Sequence, residues 1–404
     1  MLAALDGDGE ATRVVGGAVR DALLGRPVLD ADLATTAPPE TTVARARAAG
    51  LKPVPTGIAH GTVTVVCEGE PFEVTTLRED VETDGRHAVV RFGRDFRQDA
   101  LRRDFTINAL SASPDGRLHD PAGGLPDLAA GRVRFIGDAD TRIREDYLRI
   151  LRFFRFHAGY GAGPPDREGL LATIRGRDGL DRLSRERVRV ELTKLVVAPG
   201  AADALAAMAA AGLLSRLTGA VAEIGRLRRA AAADPTPDAA GRLAALLVLT
   251  DADADRLRER LRLSNAEHLR LAAYAAALAA LRDPNEPLDA GAVRRVAAEH
   301  GAAALADALA ALDGESRPRL DAAGVAEAVR YRAGAPAPVM PLRGADLRAR
   351  GFPRGPALGE ALAKARRLWL AEGCPTEEAA RDRLIALLDI GAGSPPPGWE
   401  RGRG

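Results

Sequence analysis

The chain has 404 residues, enough for two or three domains, and its 57 Lys and Arg balance 56 Asp and Glu to a net charge of +1. This balance excludes a protein that is basic throughout, and 46% apolar with 28% charged residues excludes wholesale disorder. Aromatic residues make up 4% of the chain, which argues against a nucleic-acid binder built on many exposed stacking rings.

Short β-type runs alternate with turns in the first third of the chain. The pattern predicts helices over 19–24 and 41–49, and strands over 13–16, 28–34, 62–67 and 72–77. Residues 79–98 are highly charged and have no strong period, so we expect a loop there with one short strand near 89–92.

The character of the chain changes after about residue 135. Helical runs rich in Ala, Leu and Arg then continue to about residue 390, with Gly/Pro breaks at 159–165, 234–238, 283–287 and 334–341. We therefore predict a small α/β head followed by helical neck, body and tail segments. The Pro/Gly-rich end of the chain is predicted to be disordered.

The two cysteines, Cys67 and Cys374, stand far apart and form no CxxC pair. The sequence therefore predicts neither a disulfide framework nor a zinc site. No long apolar run is free of charges, and the first residues are polar and acidic. We expect a cytoplasmic protein without a transmembrane segment or a signal peptide.

Asp30 and Asp32 are the first candidate catalytic residues. Two carboxylates at i and i+2 on a strand share one face, with Cα atoms about 6.5–7 Å apart. That spacing suits a pair of divalent cations about 4 Å apart. Mg²⁺ prefers a few carboxylates together with phosphate oxygens. An exposed turn is the alternative interpretation of this pair.

Gly16 and Gly17 follow a β-type run and precede a helix that carries Arg20. Glycine lets the backbone approach a phosphate closely, helix-start amides attract anions, and Arg keeps its charge near neutral pH. The spacing does not match the dinucleotide fingerprint GxGxxG. A tight turn with nothing bound is the alternative.

Two further motifs carry paired acids and arginines. In RRDFTINAL (102–110), the two arginines Arg102 and Arg103 stand beside an acid and a hydroxyl and could hold a ribose and a triphosphate, although a helix start with surface charges also explains the pattern. In EDYLRILRFFRF (145–156), charged residues recur every third position on what we predict to be one buried helix, at Asp146, Arg149, Arg152 and Arg155. An acid and a guanidinium one turn apart suit the Watson–Crick edge of a base, and an internal salt-bridge lattice is the equal alternative.

Together these motifs resemble the class II tRNA nucleotidyltransferase/poly(A) polymerase family, the CCA-adding enzymes. The resemblance covers about residues 13–195 and includes GGAVRDALLG before DAD, HGTVTVV (60–66), FEVTTLRED (72–80), TDGR (83–86) and LSRERVRVEL (183–192). It implies an α+β fold, with a small mixed-sheet nucleotidyltransferase head of the polymerase β-like palm type followed by an all-α neck, body and tail.

The resemblance also implies a role for each candidate residue. Asp30 and Asp32 are the implied catalytic residues and Mg²⁺ ligands, with Glu73 as a candidate third ligand. Gly16, Gly17 and Arg20 are implied to contact the triphosphate, and Arg103 and Asp104 the ribose. Asp146 and Arg149 are implied to bind the incoming cytosine or adenine, with Arg152 and Arg155 in support.

Domain ranges, partners and reaction follow from the same resemblance. The implied domains are a catalytic head (1–135), a base-reading neck (136–200), a tRNA-binding body (201–335), a tail (336–390) and a disordered C-terminus (391–404). The implied reaction adds C, C and A to the tRNA 3′ end from CTP and ATP. The implied tRNA contacts are the acceptor and T arms, and we expect no DNA or membrane partner.

Two alternatives remain open. The same motifs occur in poly(A) polymerases and in partial CC-adding or A-adding enzymes, although Asp84-Gly85-Arg86 in the charged loop favours full CCA addition. A non-catalytic RNA-binding factor on a degenerate scaffold is less compatible with the retained pair Asp30 and Asp32. For an RNA partner, the 13 Lys and Arg against 8 Asp and Glu in residues 141–195 indicate a basic neck within the near-neutral chain.

Overall fold

The structure is a computed structural model that describes residues 1–83 and 88–389. The chain forms two compact units, Met1–Leu217 and Thr218–Gly404. The division falls inside the range predicted as the body, and the finer domain boundaries stay predictions. In the described ranges, no helix is both long enough and apolar enough to cross a membrane.

The strands of the first unit are β1 (Thr12–Val15), β2 (Leu33–Thr35), β3 (Lys52–Gly57), β4 (Thr62–Cys67), β5 (Glu70–Thr76), β6 (Arg78–Thr83), β7 (Ala88–Phe92), β8 (Ser111–Ala112) and β9 (Leu118–His119). Seven of them form a mixed sheet with the order β3-β4-β5-β2-β1-β8-β9, and β6 and β7 form a separate hairpin. Of the paired strands in the sheet, β2 and β5 run parallel and the other pairs are antiparallel.

Helices flank this sheet and then continue without further strands to the end of the unit. They are α1 (Leu2–Leu5), α2 (Gly17–Leu23), α3 (Pro39–Ala48), α4 (Phe96–Leu101), α5 (Gly124–Ala129), α6 (Ala139–Glu145), α7 (Leu148–Tyr160), α8 (Arg167–Arg175), α9 (Arg185–Val196), α10 (Ala201–Ala210) and α11 (Leu213–Thr218).

The core of the sheet follows directly from its alternating pattern. Val63 and Val65 on β4 are fully buried, while Thr62 and Thr64 between them are partly exposed. The valines pack with Leu33 of β2 and with other apolar residues of α1, α3 and β5. This packing holds β2 in the middle of the sheet, so the residues just before it, Asp30 to Asp32, lie at a supported edge.

A second core surrounds α7. The rings of Phe105 and Phe135 lie 4.9 Å apart, and Phe135 stacks on Phe153 of α7 at 5.5 Å. Ile150, Leu151, Phe153 and Phe154 are all fully buried. Because aromatic clusters of this kind bury large areas with specific geometry, α7 is fixed against the segment that follows α4.

The second unit is helical throughout its described residues. Its helices are α12 (Ile224–Ala232), α13 (Ala239–Leu247), α14 (Asp251–Leu261), α15 (Asn265–Arg282), α16 (Ala290–His300), α17 (Ala302–Leu312), α18 (Ala322–Arg332), α19 (Gly344–Ala349), α20 (Pro356–Ala371) and α21 (Glu378–Asp389). Ser264 and Glu267 form a capping box at the start of α15. Trp369 of α20 is fully buried, and its indole N–H donates to the carbonyl of Pro375 at 2.8 Å.

Most predicted elements of the first third occur, with two corrections. The strand predicted over 28–34 begins only at Leu33, because residues 28–30 are exposed and only Leu33–Thr35 pair with both β1 and β5. The short strand predicted near 89–92 is confirmed as β7, but residues 79–83, predicted as loop, belong to β6 and pair with β7 in an antiparallel hairpin. Asp84-Gly85-Arg86 and the predicted disordered range 391–404 lie outside the described residues.

Candidate functional site

A cleft of about 510 Å³ in the first unit gathers most of the residues that the sequence predicted to bind a nucleotide. Its walls come from the start of α2, the segment after α4, and the region around the start of α7. Eight predicted residues line it: Gly16, Gly17, Arg20, Arg103, Asp104, Asp146, Arg149 and Arg152. The fold therefore brings three separate sequence motifs to one surface.

Gly16 turns the chain from β1 into α2. Its φ is 68°, in the left-handed region that favours glycine, and a Cβ built there would lie 2.8 Å from Nη1 of Arg103. Nη1 of Arg103 also donates to the carbonyl of Asn108 at 3.3 Å. A side chain at residue 16 would therefore displace Arg103, so this position requires glycine for both conformation and space.

Arg20 lines the cleft although it is only 6% exposed. Its Nη1 donates to Oδ1 of Asn108 at 2.6 Å, its Nη2 to the hydroxyl of Tyr160 at 2.6 Å, and its Nε to Asp21 at 3.0 Å. The guanidinium lies 3.8 Å from the centre of the Tyr160 ring. Burial raises the pKa of Tyr160, which keeps its hydroxyl neutral. Arg20 thus joins α2 to α7.

Asp104 is buried and accepts hydrogen bonds from three residues. Its Oδ1 accepts hydrogen bonds from the amide of Phe105 and from Nδ2 of Asn108, both at 2.9 Å. Its Oδ2 accepts from Nε of Arg152 on α7. The carboxylate therefore positions Arg152 at the cleft as well as lining the cleft itself.

Asp146 is not on the same helix as Arg149, which corrects the prediction of one continuous helix over 145–156. Helix α6 ends at Glu145 and α7 begins at Leu148, and Asp146 has an extended backbone with φ −153°. Its Oδ1 accepts from the amide of Leu148 at 3.0 Å, and its Oδ2 accepts from Nη2 of Arg187 at 2.7 Å. Because the helix breaks at this point, Asp146 lies in the wall of the cleft beside Arg149.

The arginines of α7 are also ion-paired. Nη1 of Arg149 donates to the carbonyl of Arg142 at 2.7 Å and to the carboxylate of Glu145. Arg155 lies outside the residues that line the cleft, and its Nε donates to Oε2 of Glu191 at 2.6 Å. The salt-bridge lattice offered as an alternative is therefore present, and its members Asp146, Arg149 and Arg152 also face the cleft.

Asp30 and Asp32 precede β2 and are both exposed. They do not lie on a strand as predicted, but the carbonyl of Asp32 accepts from the amide of Val15 on β1 at 3.0 Å, which anchors the pair at the sheet edge. Exposed carboxylates supported by a rigid sheet fit Mg²⁺, which takes few protein oxygens and completes its shell with water or phosphate.

A small pocket of about 150 Å³ beside this edge is lined by Asp32, Glu73, Asp99, Arg102 and Arg103 among other residues. Glu73 thus shares a pocket with Asp32. Among the side chains that the structure describes, however, no three from His, Cys, Asp or Glu lie close enough together to hold a metal ion. The structure therefore offers two exposed carboxylates and a neighbouring third rather than a closed site.

Beyond the eight predicted residues, the polar residues that line the cleft are Arg102, Asn108 and Arg187. Asn108 is buried and joins Arg20 to Asp104 through its side chain. Asn108 belongs to the motif RRDFTINAL, but the sequence does not indicate which residues form hydrogen bonds with its side chain. Arg187 lies 41 residues after Asp146, and no local spacing indicates that contact.

Comparison with known proteins agrees with this geometry. A family model of the poly A polymerase head domain matches residues 12–134. The chain is 42% identical over 263 residues to CCA tRNA nucleotidyltransferase 1, mitochondrial, of Danio rerio, covering 63% of this chain and 60% of that protein. It is 44% identical over 208 residues to the CCA-adding enzyme of Leuconostoc citreum, covering 51% of this chain and 50% of that protein.

A solved structure of similar fold covers nearly the whole chain. The crystal structure of the Bacillus stearothermophilus CCA-adding enzyme in complex with CTP matches with a TM-score of 0.73 and 29% identity, over 96% of each chain. In the sequence alignments, this chain spans 60% of the length of the Danio rerio relative and 50% of the length of the Leuconostoc citreum relative. Residues 12–134 match the poly A polymerase head domain, and the chain is similar in sequence and fold to CCA-adding enzymes over the ranges given.

Proposed function

We propose that this protein adds C, C and A to the 3′ end of tRNA from CTP and ATP without a nucleic-acid template. One observation carries the proposal. A single cleft holds the glycine turn at Gly16, the pair Arg103 and Asp104, and the pair Asp146 and Arg149. The similarity to a CCA-adding enzyme solved with CTP, over 96% of each chain, gives further support.

In the proposed reaction, the tRNA 3′-hydroxyl oxygen bonds to the α-phosphorus of the nucleotide. The bond from that phosphorus to the α,β-bridging oxygen breaks, its electron pair leaves with pyrophosphate, and the hydroxyl proton passes to solvent. Because no covalent enzyme intermediate is needed, positioning and charge stabilisation supply most of the acceleration. The residues of the cleft therefore act chiefly by holding the two reactants.

Each wall of the cleft has a proposed task. The backbone at Gly16 and Gly17 lies close to the phosphates because no side chain intervenes, and Arg20 adds a fixed positive charge. Arg103 and Asp104 contact the ribose. The carboxylate of Asp146 and the guanidinium of Arg149 form hydrogen bonds with the Watson–Crick edge of cytosine or adenine. Arg152 and Arg155 support these two side chains.

We propose Asp30 and Asp32 as the catalytic carboxylates and as ligands of Mg²⁺, with Glu73 nearby. When bound, a divalent ion would neutralise charge on the phosphates during transfer. Both aspartates are exposed at the edge of the sheet, where a nucleotide in the adjacent cleft brings its phosphate oxygens.

The tRNA partner and the cellular location are part of the same proposal. We assign the head to residues 1–135, the base-reading neck to 136–200, the tRNA-binding body to 201–335 and the tail to 336–390. We infer that the helical segments contact the acceptor and T arms by shape and phosphate charge, and that the protein acts in the cytoplasm. Binding of tRNA should therefore weaken steeply with salt.

The test uses tRNA transcripts that end at the position before CCA. With CTP alone we expect two added nucleotides, with both CTP and ATP three, and with ATP alone none. A long tail from ATP alone would assign the chain to poly(A) addition. A stop after two nucleotides with both CTP and ATP present would assign CC addition, and no extension of this transcript together with addition of A to a transcript that ends in CC would assign A addition. No incorporation with any nucleotide and Mg²⁺ would favour a non-catalytic RNA-binding role.

A further inference from the structure

Two aromatic rings at the end of α7 lie among the arginines beside the cleft. Phe156 lines the cleft, and its ring stacks on that of Tyr160 with the two centres 5.8 Å apart. The guanidinium of Arg20 lies 5.4 Å from the centre of the Phe156 ring and 3.8 Å from that of Tyr160. The guanidinium of Arg26 lies 4.8 Å from the centre of the Tyr160 ring, and its Nη1 donates to the carbonyl of Gly159 at 3.0 Å. These contacts join the end of α7 to α2 and to the residues that follow α2.

Four of the five N–H groups of Arg20 are used inside the protein. Its Nε and Nη2 donate to the two carboxylate oxygens of Asp21 at 3.0 Å and 3.1 Å. Nη2 also donates to the hydroxyl of Tyr160, and Nη1 donates to Oδ1 of Asn108, both at 2.6 Å. Among the described residues, the second N–H of Nη1 has no acceptor. Because a single N–H of this side chain is available to a ligand in the cleft, a small rotation of the guanidinium would remove that contact.

Tyr160 holds Arg20 in a way that Asp21 cannot. Arg20 and Asp21 are neighbours on α2, so the contact between them moves with that helix. The hydroxyl and ring of Tyr160 belong to α7, the helix that also carries Arg149 and Arg152. An aromatic face attracts a guanidinium and keeps water away from it, so the ring restrains the charge as well as the hydrogen bond. Burial raises the pKa of Tyr160, so its hydroxyl stays neutral and does not cancel the charge of Arg20.

We propose that Tyr160 is a positioning residue that fixes Arg20 relative to α7, and that it thereby sets the affinity of the cleft for the incoming nucleotide, whichever base the nucleotide carries. This inference rests on the proposed function, in which Arg20 contacts the phosphates. Tyr160 lies outside the residues that line the cleft, so it acts through Arg20 and does not touch the nucleotide. Because CTP and ATP share the same phosphates, loss of Tyr160 should weaken both equally and leave the base contacts of Asp146 and Arg149 in place.

The test measures binding of CTP and of ATP to the full chain by calorimetry with Mg²⁺, and then KM and kcat for each nucleotide. Tyr160→Leu removes both the ring and the hydroxyl and is expected to weaken each nucleotide about tenfold, with a similar rise in KM. Tyr160→Phe keeps the ring and should weaken each about threefold. The value of kcat and the choice of base should change less. A partial rescue by phenylalanine, with KM raised more than kcat is lowered, separates positioning of Arg20 from a general loss of folded protein.

A second contact between an arginine and an aromatic ring in the same unit provides a matched control. The guanidinium of Arg13 lies 4.0 Å from the centre of the Phe96 ring, and Phe96 lines neither the cleft nor the pocket beside Asp32. Phe96→Leu therefore removes a ring from a guanidinium elsewhere and should leave the affinities for CTP and ATP unchanged. Thermal unfolding of all three variants checks that they are folded.

Unchanged nucleotide affinity in folded Tyr160→Leu would overturn the inference, as would an equal loss in Phe96→Leu. A loss for one nucleotide without the other would also overturn it, because Tyr160 would then act on the base. A wild-type chain that binds both nucleotides in a way that depends on Tyr160, but adds none to tRNA, would instead contradict the proposed function alone. The two failures are therefore distinguishable.

Discussion

Asp104 and Arg152, 48 residues apart, are joined by a double contact in which Oδ2 of Asp104 lies 2.7 Å from Nε and 2.6 Å from Nη2 of Arg152. The other carboxylate oxygen is held by Asn108 and by the amide of Phe105. This contact links the segment after α4 to α7. It sets the position of one wall of the cleft relative to the other.

We predict that Asp104→Asn lowers the free energy of unfolding by about 2 kcal/mol, because Arg152 then loses a charged partner in a partly buried position. The KM for CTP should rise, since Arg152 no longer has a fixed orientation. Chemical denaturation and steady-state kinetics measure the two effects. The double variant with Arg152→Gln should cost less than the sum of the single changes, and strict additivity would show that the contact contributes nothing.

The exposed carboxylates should be required for activity but not for stability. We predict that Asp30→Asn or Asp32→Asn lowers nucleotide incorporation by about a thousandfold or more, because the carboxylates that hold the metal are lost. The melting temperature should stay within about 2 °C, since exposed side chains contribute little to folding. The control is Asp115→Asn at an exposed pair with Arg117. Near-normal turnover in either variant would contradict the catalytic assignment.

Asp146 should determine which base is accepted. We predict that Asp146→Asn raises misincorporation of UTP or GTP by about tenfold or more, because the amide exchanges an acceptor for a donor at the base edge. The affinity for tRNA should stay the same. The exposed pair of Asp181 and Arg216 provides a matched control through Asp181→Asn. Unchanged base choice with lower stability would identify Asp146 as a member of a structural lattice only.

His157 should make stability depend on pH. Burial on α7 lowers its pKa below the usual value, outweighing a hydrogen bond with the backbone of Gly163 and the charge of Asp203. The unfolded chain therefore binds a proton first as pH falls, and stability is lost below about pH 6.5 at up to about 1.4 kcal/mol per pH unit. His157→Gln should flatten this slope in denaturation measured from pH 8 to pH 5. Identical slopes would contradict the effect.

Local patterns predicted the fold of the head well where one face of an element is buried. The alternation of Val63 and Val65 with threonines identified β4, and Gly16 marked the turn before α2. The strand predicted near 89–92 is confirmed as β7, but the loop predicted over 79–83 was wrong, because the pairing of these residues in β6 depends on backbone hydrogen bonds that polar side chains do not reveal. The break before Leu148 was missed because no glycine or proline marks it in the sequence.

The candidate site was predicted as a set of residues rather than as a network. Most of the predicted nucleotide ligands line one cleft, yet the sequence contains no sign that Asp104 holds Arg152 or that Arg187 holds Asp146. Such contacts join residues tens of positions apart, and only tertiary packing brings them together. Arg155 lies off the cleft because its position on α7 turns it toward Glu191 of α9.

The central claim is that one active site adds a defined C-C-A end. The most direct measurement supplies wild-type protein, Mg²⁺, all four nucleoside triphosphates and a tRNA that lacks its last three nucleotides, and sequences the product 3′ ends. We predict ends that read CCA and then stop. Homopolymeric A tails, ends that stop after CC, or unextended tRNA would contradict it.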